Sequence, residues 1–241
     1  MRGELILNKV LNIAHRGASA LEPENTLRAF KRALELNADM VEVDVRLSKN
    51  GHVVVIHDPT VDRTTNGKGY VREMTLEELK RLDAGKGERI PTLQEVIDVI
   101  KGKIKLLIDV KDPPPIEKKL VKIIEDNGME EDTVIIIYSF PNHTEVKRVK
   151  EMNRKIKTAA LFNTLPINLQ LALNLHADIL HIGNYRYATR DLTEEAHKHG
   201  LSVIVGTTDD PEELRKLIKM GVDGITTNNP AILDEVKRSM P

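Results

Sequence analysis

Eight short apolar runs, most of them rich in β-branched residues, recur along the chain with an amphipathic stretch after each. The runs are Val10–Ala14, Met40–Val45, Leu106–Val110, Val134–Tyr138, Thr158–Phe162, Ile179–Ile182, Ser202–Val205 and Gly224–Thr226. Unbroken apolar runs of this length suit parallel strands that are buried on both faces. Helical periodicity fills the intervals at Asn25–Asn37, Thr92–Lys101, Pro114–Asn127, Asn142–Asn153, Asn168–His176, Thr193–Lys198, Asp210–Met220 and Ala231–Arg238. Asp210-Pro211-Glu212-Glu213 places a cap, a first-turn proline and two acids at one helix start, where the free N–H groups and the helix dipole favour them. Strand–helix pairs of about 30 residues, eight in number, account for a chain of 241, which predicts an α/β fold of the (β/α)8 TIM-barrel type. A doubly wound open sheet would carry a glycine-rich phosphate loop after its first strand, and the chain has none.

One segment breaks the rhythm. Between Gly51 and Arg89 the chain passes through several glycines and one short helical pattern, too long a passage for an ordinary βα loop. We expect a single domain over residues 1–241 with a small insertion after the second strand, at about 59–89, docked on the barrel rim.

Composition removes several function classes. The absence of cysteine excludes disulfides, zinc–thiolate sites, iron–sulfur clusters and a thiol nucleophile. Lys plus Arg number 36 against 37 Asp plus Glu, so there is no global field to draw in nucleic acid or an anionic membrane. The chain has no Trp, four Tyr and three Phe, too few aromatics for a base-stacking platform. The longest apolar run, Val134–Tyr138, is far short of the ~20 residues that a transmembrane helix needs. Glu4 and Lys9 interrupt any apolar stretch near the N-terminus, a poor match to a secretory signal. A small-molecule partner, no integral membrane segment and a cytoplasmic location are therefore expected.

The polar residues gather where the strands end. His15-Arg16-Gly17 closes the first strand, Asp109 and Lys111 close the third, and His57-Asp58 follows the short run Val53–Ile56. Glu42 and Asp44 stand two apart in the second strand, so they share one face. An acidic pair on a strand is usually a solvated face. Here it interleaves with Val41, Val43 and Val45 in a strand expected to be buried on both sides. Carboxylates there need a partner or a cation. In a barrel the C-terminal strand ends converge on one mouth, where active sites lie. His52 reads as a solvated turn residue, and His143, His176, His197 and His199 as residues in or near helices. His181 can face the mouth but has no partner in sequence, and is left aside.

These residues resemble the signature of the glycerophosphodiester phosphodiesterase family. The resemblance runs from His15-Arg16-Gly17 through Pro23-Glu24-Asn25-Thr26, Glu42-x-Asp44, His57-Asp58 and Arg63-Thr64-Thr65 to Ile90-Pro91-Thr92-Leu93. It continues at Ser139-Phe140 and Gly221-Val222-Asp223-Gly224-Ile225-Thr226-Thr227-Asn228, and so spans about the whole chain. It implies a metal-dependent hydrolysis of glycerophosphodiesters to glycerol 3-phosphate and an alcohol. His15 and His57 would be the general acid and base, and Arg16 and Lys111 the phosphate contacts. Glu42, Asp44 and Asp109 would hold one divalent cation, Mg2+ or Ca2+, with Mn2+ a further option. Two rival expectations are a lysophospholipase D-type phosphodiesterase, with Tyr70, Val71 and Met74 as an apolar rim, and a non-catalytic phosphate-binding barrel.

The chain departs from the family pattern twice. Asp109 stands where the family usually has Glu, which keeps the charge and shortens the reach. Val205-Gly206-Thr207 stands where the family usually has a Trp-Thr pair. A wider mouth is expected at Gly206 unless Phe140, Phe162, Tyr185 or Tyr187 leans in, and Gly206→Trp would then narrow it.

Overall fold

The computed structural model describes residues 10–113, 115–137 and 144–240. Eight parallel strands close into a barrel: β1 (Leu11–Ala14), β2 (Met40–Leu47), β4 (Lys105–Val110), β5 (Thr133–Ile137), β6 (Lys157–Phe162), β7 (Ile179–Ile182), β8 (Ser202–Val205) and β9 (Gly224–Thr227). Closure comes from β1, which pairs with β2 on one side and β9 on the other. A ninth strand, β3 (Val53–Val55), runs antiparallel to the end of β2, with Val45 opposite Val55. Every expected barrel run is thus a strand. Tyr138, the Ser139-Phe140 match, Pro114, His143 and residues 1–9 lie outside the described residues.

Strand alternation sorts the side chains. Ile13, Met40, Leu107, Val134, Ile136, Ala159, Leu161, Ile179 and Ile204 fill the barrel interior. Their neighbours, such as Val41, Val43, Ile108, Leu180 and Val203, face the helices. Burial of both faces explains the unbroken β-branched runs. The helix after β1, α1 (Leu27–Glu35), starts where the Thr26 side chain accepts from the Ala29 N–H, and it buries Ala29, Phe30 and Ala33. Complete removal of a side chain like Phe30 from water contributes about 1.5–3 kcal/mol.

At the end of the barrel away from the site, three aspartates tie adjacent strands together. Asp39 accepts from the Asn12 N–H, Asp178 from Thr158 and Asp223 from Val203, each at 2.7 Å. Each aspartate immediately precedes its own strand and satisfies a neighbour's backbone donor.

Between β2 and α3 (Leu93–Ile100) the chain makes the expected excursion. It contains β3, a 3₁₀ turn at Val71–Glu73 and the short helix α2 (Leu76–Leu79). Val54, Ile56, Val61, Val71, Leu79, Ala84 and Ile90 give it a small core of its own. That core corrects one expectation. Val71 is buried and Met74 packs beside it, so of the three rim candidates only Tyr70 is exposed. The remaining helices α4 (Ile116–Asp126), α5 (Thr144–Met152), α6 (Leu169–Asn174), α7 (Arg190–Lys198), α8 (Pro211–Met220) and α9 (Pro230–Ser239) complete the outer layer.

Candidate active site

At the C-terminal ends of the strands lies a cavity of ≈ 560 Å³, lined among others by His15, Arg16, Glu42, His57, Asp109 and Lys111. Asp44, the remaining candidate, is 1% exposed and pairs with Arg16 and Lys111 of that lining. Glu42 and Asp44 both project from β2, and the register sets Asp44 opposite Asp109 on β4. The three carboxylates are buried, with one oxygen of each within 4.8 Å of the others.

Cations surround this cluster without saturating it. Lys111 Nζ stands 2.7 Å from Asp109 Oδ2 and 3.1 Å from Asp44 Oδ1. Arg16 Nε is 3.1 Å from Asp44 Oδ2, and the Arg16 backbone N–H donates to Glu42 Oε2 at 2.8 Å. The Asn25 amide donates to Asp44 at 2.8 Å. Despite burial, Lys111 and Arg16 hold the Asp44 carboxyl below its usual range. Burial and the neighbouring Asp44 and Asp109 push Glu42 well up. Burial, against the pull of Lys111, pushes Asp109 up to about 6. Asp109 Oδ1 has no hydrogen-bond partner among the described residues. Three crowded, buried oxygen donors with an orphaned acceptor fit a hard divalent cation.

The backbone that aims Arg16 is unusual. Arg16 has φ 57° and Gly17 φ 79°, and a Cβ on Gly17 would stand 2.7 Å from Ala29. Left-handed backbone at a non-glycine residue costs energy and concentrates at functional sites. Here it directs the Arg16 N–H to Glu42 and the side chain to Asp44.

The two histidines have different supports. His15 Nδ1 lies 2.8 Å from Asn228 Oδ1. The Asn228 amide nitrogen donates to Asp209 at 3.0 Å, so its oxygen is turned toward the ring. His57 Nδ1 lies 2.7 Å from Asp58 Oδ1. Arg63, on the excursion, donates to Asp58 Oδ2 at 2.7 Å and spans both oxygens of Glu24 at 2.8 Å. Glu24 also takes Arg16 Nη1 at 2.9 Å, and Arg46 donates to the His57 carbonyl at 2.9 Å. Burial, then Arg16, lowers His15; burial lowers His57 against the pull of Asp44 and Asp58.

His181, left aside in the sequence for want of a partner, lines the cavity. Its signal was positional: it lies two residues after Ile179 on a strand whose inner face is otherwise apolar. The supporting roles of Asp209 and Arg46 had no local signal, because their partners are distant in sequence.

At Gly206 the expectation needs correction. A Cβ there would stand 1.6 Å from Thr226 Oγ1, so Gly206→Trp does not fit this backbone. Phe162, Tyr185 and Tyr187 belong to the outer layer between sheet and helices, and no aromatic residue lines the cavity among the described residues.

Comparison with known proteins gives the family. Residues 15–232 match the model of the glycerophosphoryl diester phosphodiesterase family. The chain belongs to that family. It is 46% identical to a glycerophosphodiester phosphodiesterase of Caldanaerobacter subterraneus, over 95% of this chain and 98% of that one. A Bacillus subtilis glycerophosphodiester phosphodiesterase is 30% identical over 96% of this chain and 87% of its own length. Among family structures, an Oleispira antarctica phosphodiesterase in complex with its product sn-glycerol-3-phosphate superposes with TM-score 0.86 at 26% identity, covering 94% of this chain and 96% of that one. Among the described residues, no helix is long and apolar enough to cross a membrane.

Proposed function

We propose that this phosphodiesterase hydrolyses glycerophosphodiesters to glycerol 3-phosphate and an alcohol, with His15 as general base and His57 as general acid. Glu42, Asp44 and Asp109 would hold one divalent cation, Mg2+ or Ca2+ by donor chemistry and Mn2+ as a further option. The observation that carries the reading is the buried carboxylate trio faced by two imidazoles with unlike supports. When bound, the cation supplies charge neutralisation at a non-bridging phosphate oxygen.

The protein's own groups do the rest. Arg16 and Lys111 bind non-bridging oxygens and stabilise the negative charge that builds in the transition state. Asn228 accepts the Nδ1 proton of His15, which leaves Nε2 to take a proton from the nucleophile. Asp58 favours the protonated form of His57, which then delivers a proton to the departing alkoxide. Each transfer is worth about 10²–10⁴-fold.

The test is a panel of glycerophosphodiesters and lysophospholipids, assayed after chelator treatment with Mg2+, Mn2+ or Ca2+ restored singly. Metal-dependent release of glycerol 3-phosphate is expected. No turnover with any metal would favour the phosphate-binding barrel, and preferential cleavage of lysophospholipids would overturn the substrate assignment.

A further inference from the structure

The cavity is divided by charge. Its ionisable groups come from β1, β2, β4 and the residues after β3, whereas the described groups from β5 to β9 are Ile136, Leu161, His181, Thr207, Thr226 and their neighbours. Of these, only His181 is titratable.

His181 points inward by alternation. Ile179 belongs to the barrel interior, and Leu180 and Ile182 to the layer facing the helices. In a closed ring of eight strands, β7 stands four strands from β2 in either direction. His181 therefore faces Glu42 and Asp44 across the barrel axis. It is 7% exposed, and its Nδ1 has no hydrogen-bond partner among the described residues. A buried ring nitrogen left unpartnered costs free energy and calls for a ligand. Burial and the nearby His15 push its pKa down to about 3, so it is neutral at working pH. A neutral imidazole offers one donor and one acceptor, which suits a hydroxyl group.

We propose that His181 hydrogen-bonds a hydroxyl of the substrate's glycerol unit, making the β5–β9 side of the mouth the polyol subsite. The inference rests on the phosphodiesterase reading above. It places the retained glycerol unit on the His15 side and the departing alcohol on the His57 side. Gly183 and Gly206 line this wall, and neither has room for a side chain. A Cβ at Gly183 would stand 1.8 Å from Asn163 Oδ1, and one at Gly206 1.6 Å from Thr226 Oγ1.

The experiment compares sn-glycero-3-phosphocholine with bis(4-nitrophenyl) phosphate, a diester without a polyol. His181→Leu is expected to lower the ratio of kcat/KM for the first to that for the second by about tenfold or more, chiefly through KM. His181→Asn, which keeps a donor and an acceptor, should recover most of the ratio. In the wild-type protein, the ¹⁵N resonances of the His181 ring should shift with glycerol 3-phosphate and stay in place with inorganic phosphate, a readout that stands even if the Leu variant does not fold. Equal losses on both diesters, no loss on either, or ring shifts alike with both ligands would overturn the proposal. A wild-type protein inert on both diesters would overturn the phosphodiesterase reading, and this inference with it.

Discussion

His15 and His57 differ in what stands behind them, and that difference sets their expected behaviour. His15→Ala and His57→Ala should each lower turnover by at least about 10²-fold with the fold intact; near-wild-type turnover in either would reject the pair. The base must be neutral to act, and burial beside Arg16 holds His15 below 6.5. The acidic limb of kcat/KM should therefore lie below 6.5. The alkaline limb should follow loss of the His57 proton. Arg63 bears on that second limb, since its guanidinium spans Asp58 and Glu24. Arg63→Gln should lower kcat by about tenfold, as loss of a group that orients an active imidazole does. It should also move the alkaline limb upward, because a cation near His57 has gone. A fall in activity with both limbs unmoved would make Arg63 merely structural. At this scale the sequence was readable where chemistry sat within a few residues. The Glu42–Asp44 spacing and His57-Asp58 announced themselves, whereas His181 and the Asp209–Asn228 support depend on strands that meet only in the closed ring.

Elements were readable because periodicity reflects burial, and they were misread where local capping or pairing decides the ends. Helix α7 begins at Arg190, three residues before its apolar pattern, because Thr189 accepts from the Leu192 N–H. Strand β2 runs on to Leu47 because β3 pairs with it, and a two-sided apolar pattern says nothing about an antiparallel partner. The junction between excursion and barrel is set by a capping box. Thr92 accepts from the Glu95 N–H at 3.2 Å, and the Glu95 carboxylate accepts from the Thr92 N–H at 2.7 Å. Glu95 also pairs with Lys80, and Thr92 bridges to Val54. Thr92→Ala should cost about 1 kcal/mol, as cap removal does. That is a fall in Tm of about 2–4 °C for a chain of this size. Calorimetry and assay together check this, and a loss of turnover at unchanged Tm would contradict it.

Across the whole molecule, the proposed role of the carboxylate trio would link ion binding to stability. Asp109 lies at about 6 against an ordinary 3.8. A carboxyl raised by folding favours the folded state while protonated, and that contribution is lost as pH rises from 3.8 to about 6. Above that range the metal-free protein carries the repulsion of Asp44 and Asp109, eased by Lys111 and Arg16, while the same crowding still opposes ionisation of Glu42. A divalent cation removes the same repulsion and must displace any protons present. The rise in Tm on adding Mg2+, Ca2+ or Mn2+ to chelator-treated protein should therefore be larger at about pH 7.5 than at about pH 5.5, with protons released at the lower pH. An equal rise at both pH values would uncouple Asp109 from the ion.

The division of the cavity into a charged side and a neutral side has a consequence for the tempo of the enzyme. A phosphodiester brings one negative charge, but the phosphomonoester left behind carries nearly two at neutral pH, its second pKa being about 6. Arg16, Lys111 and the cation would therefore grip the product more firmly than the molecule that entered. Escape of the phosphomonoester, rather than bond cleavage, is then expected to set the pace, as in many enzymes. Added salt weakens both grips. Raising ionic strength should increase kcat while lowering kcat/KM, and added viscogen should slow kcat.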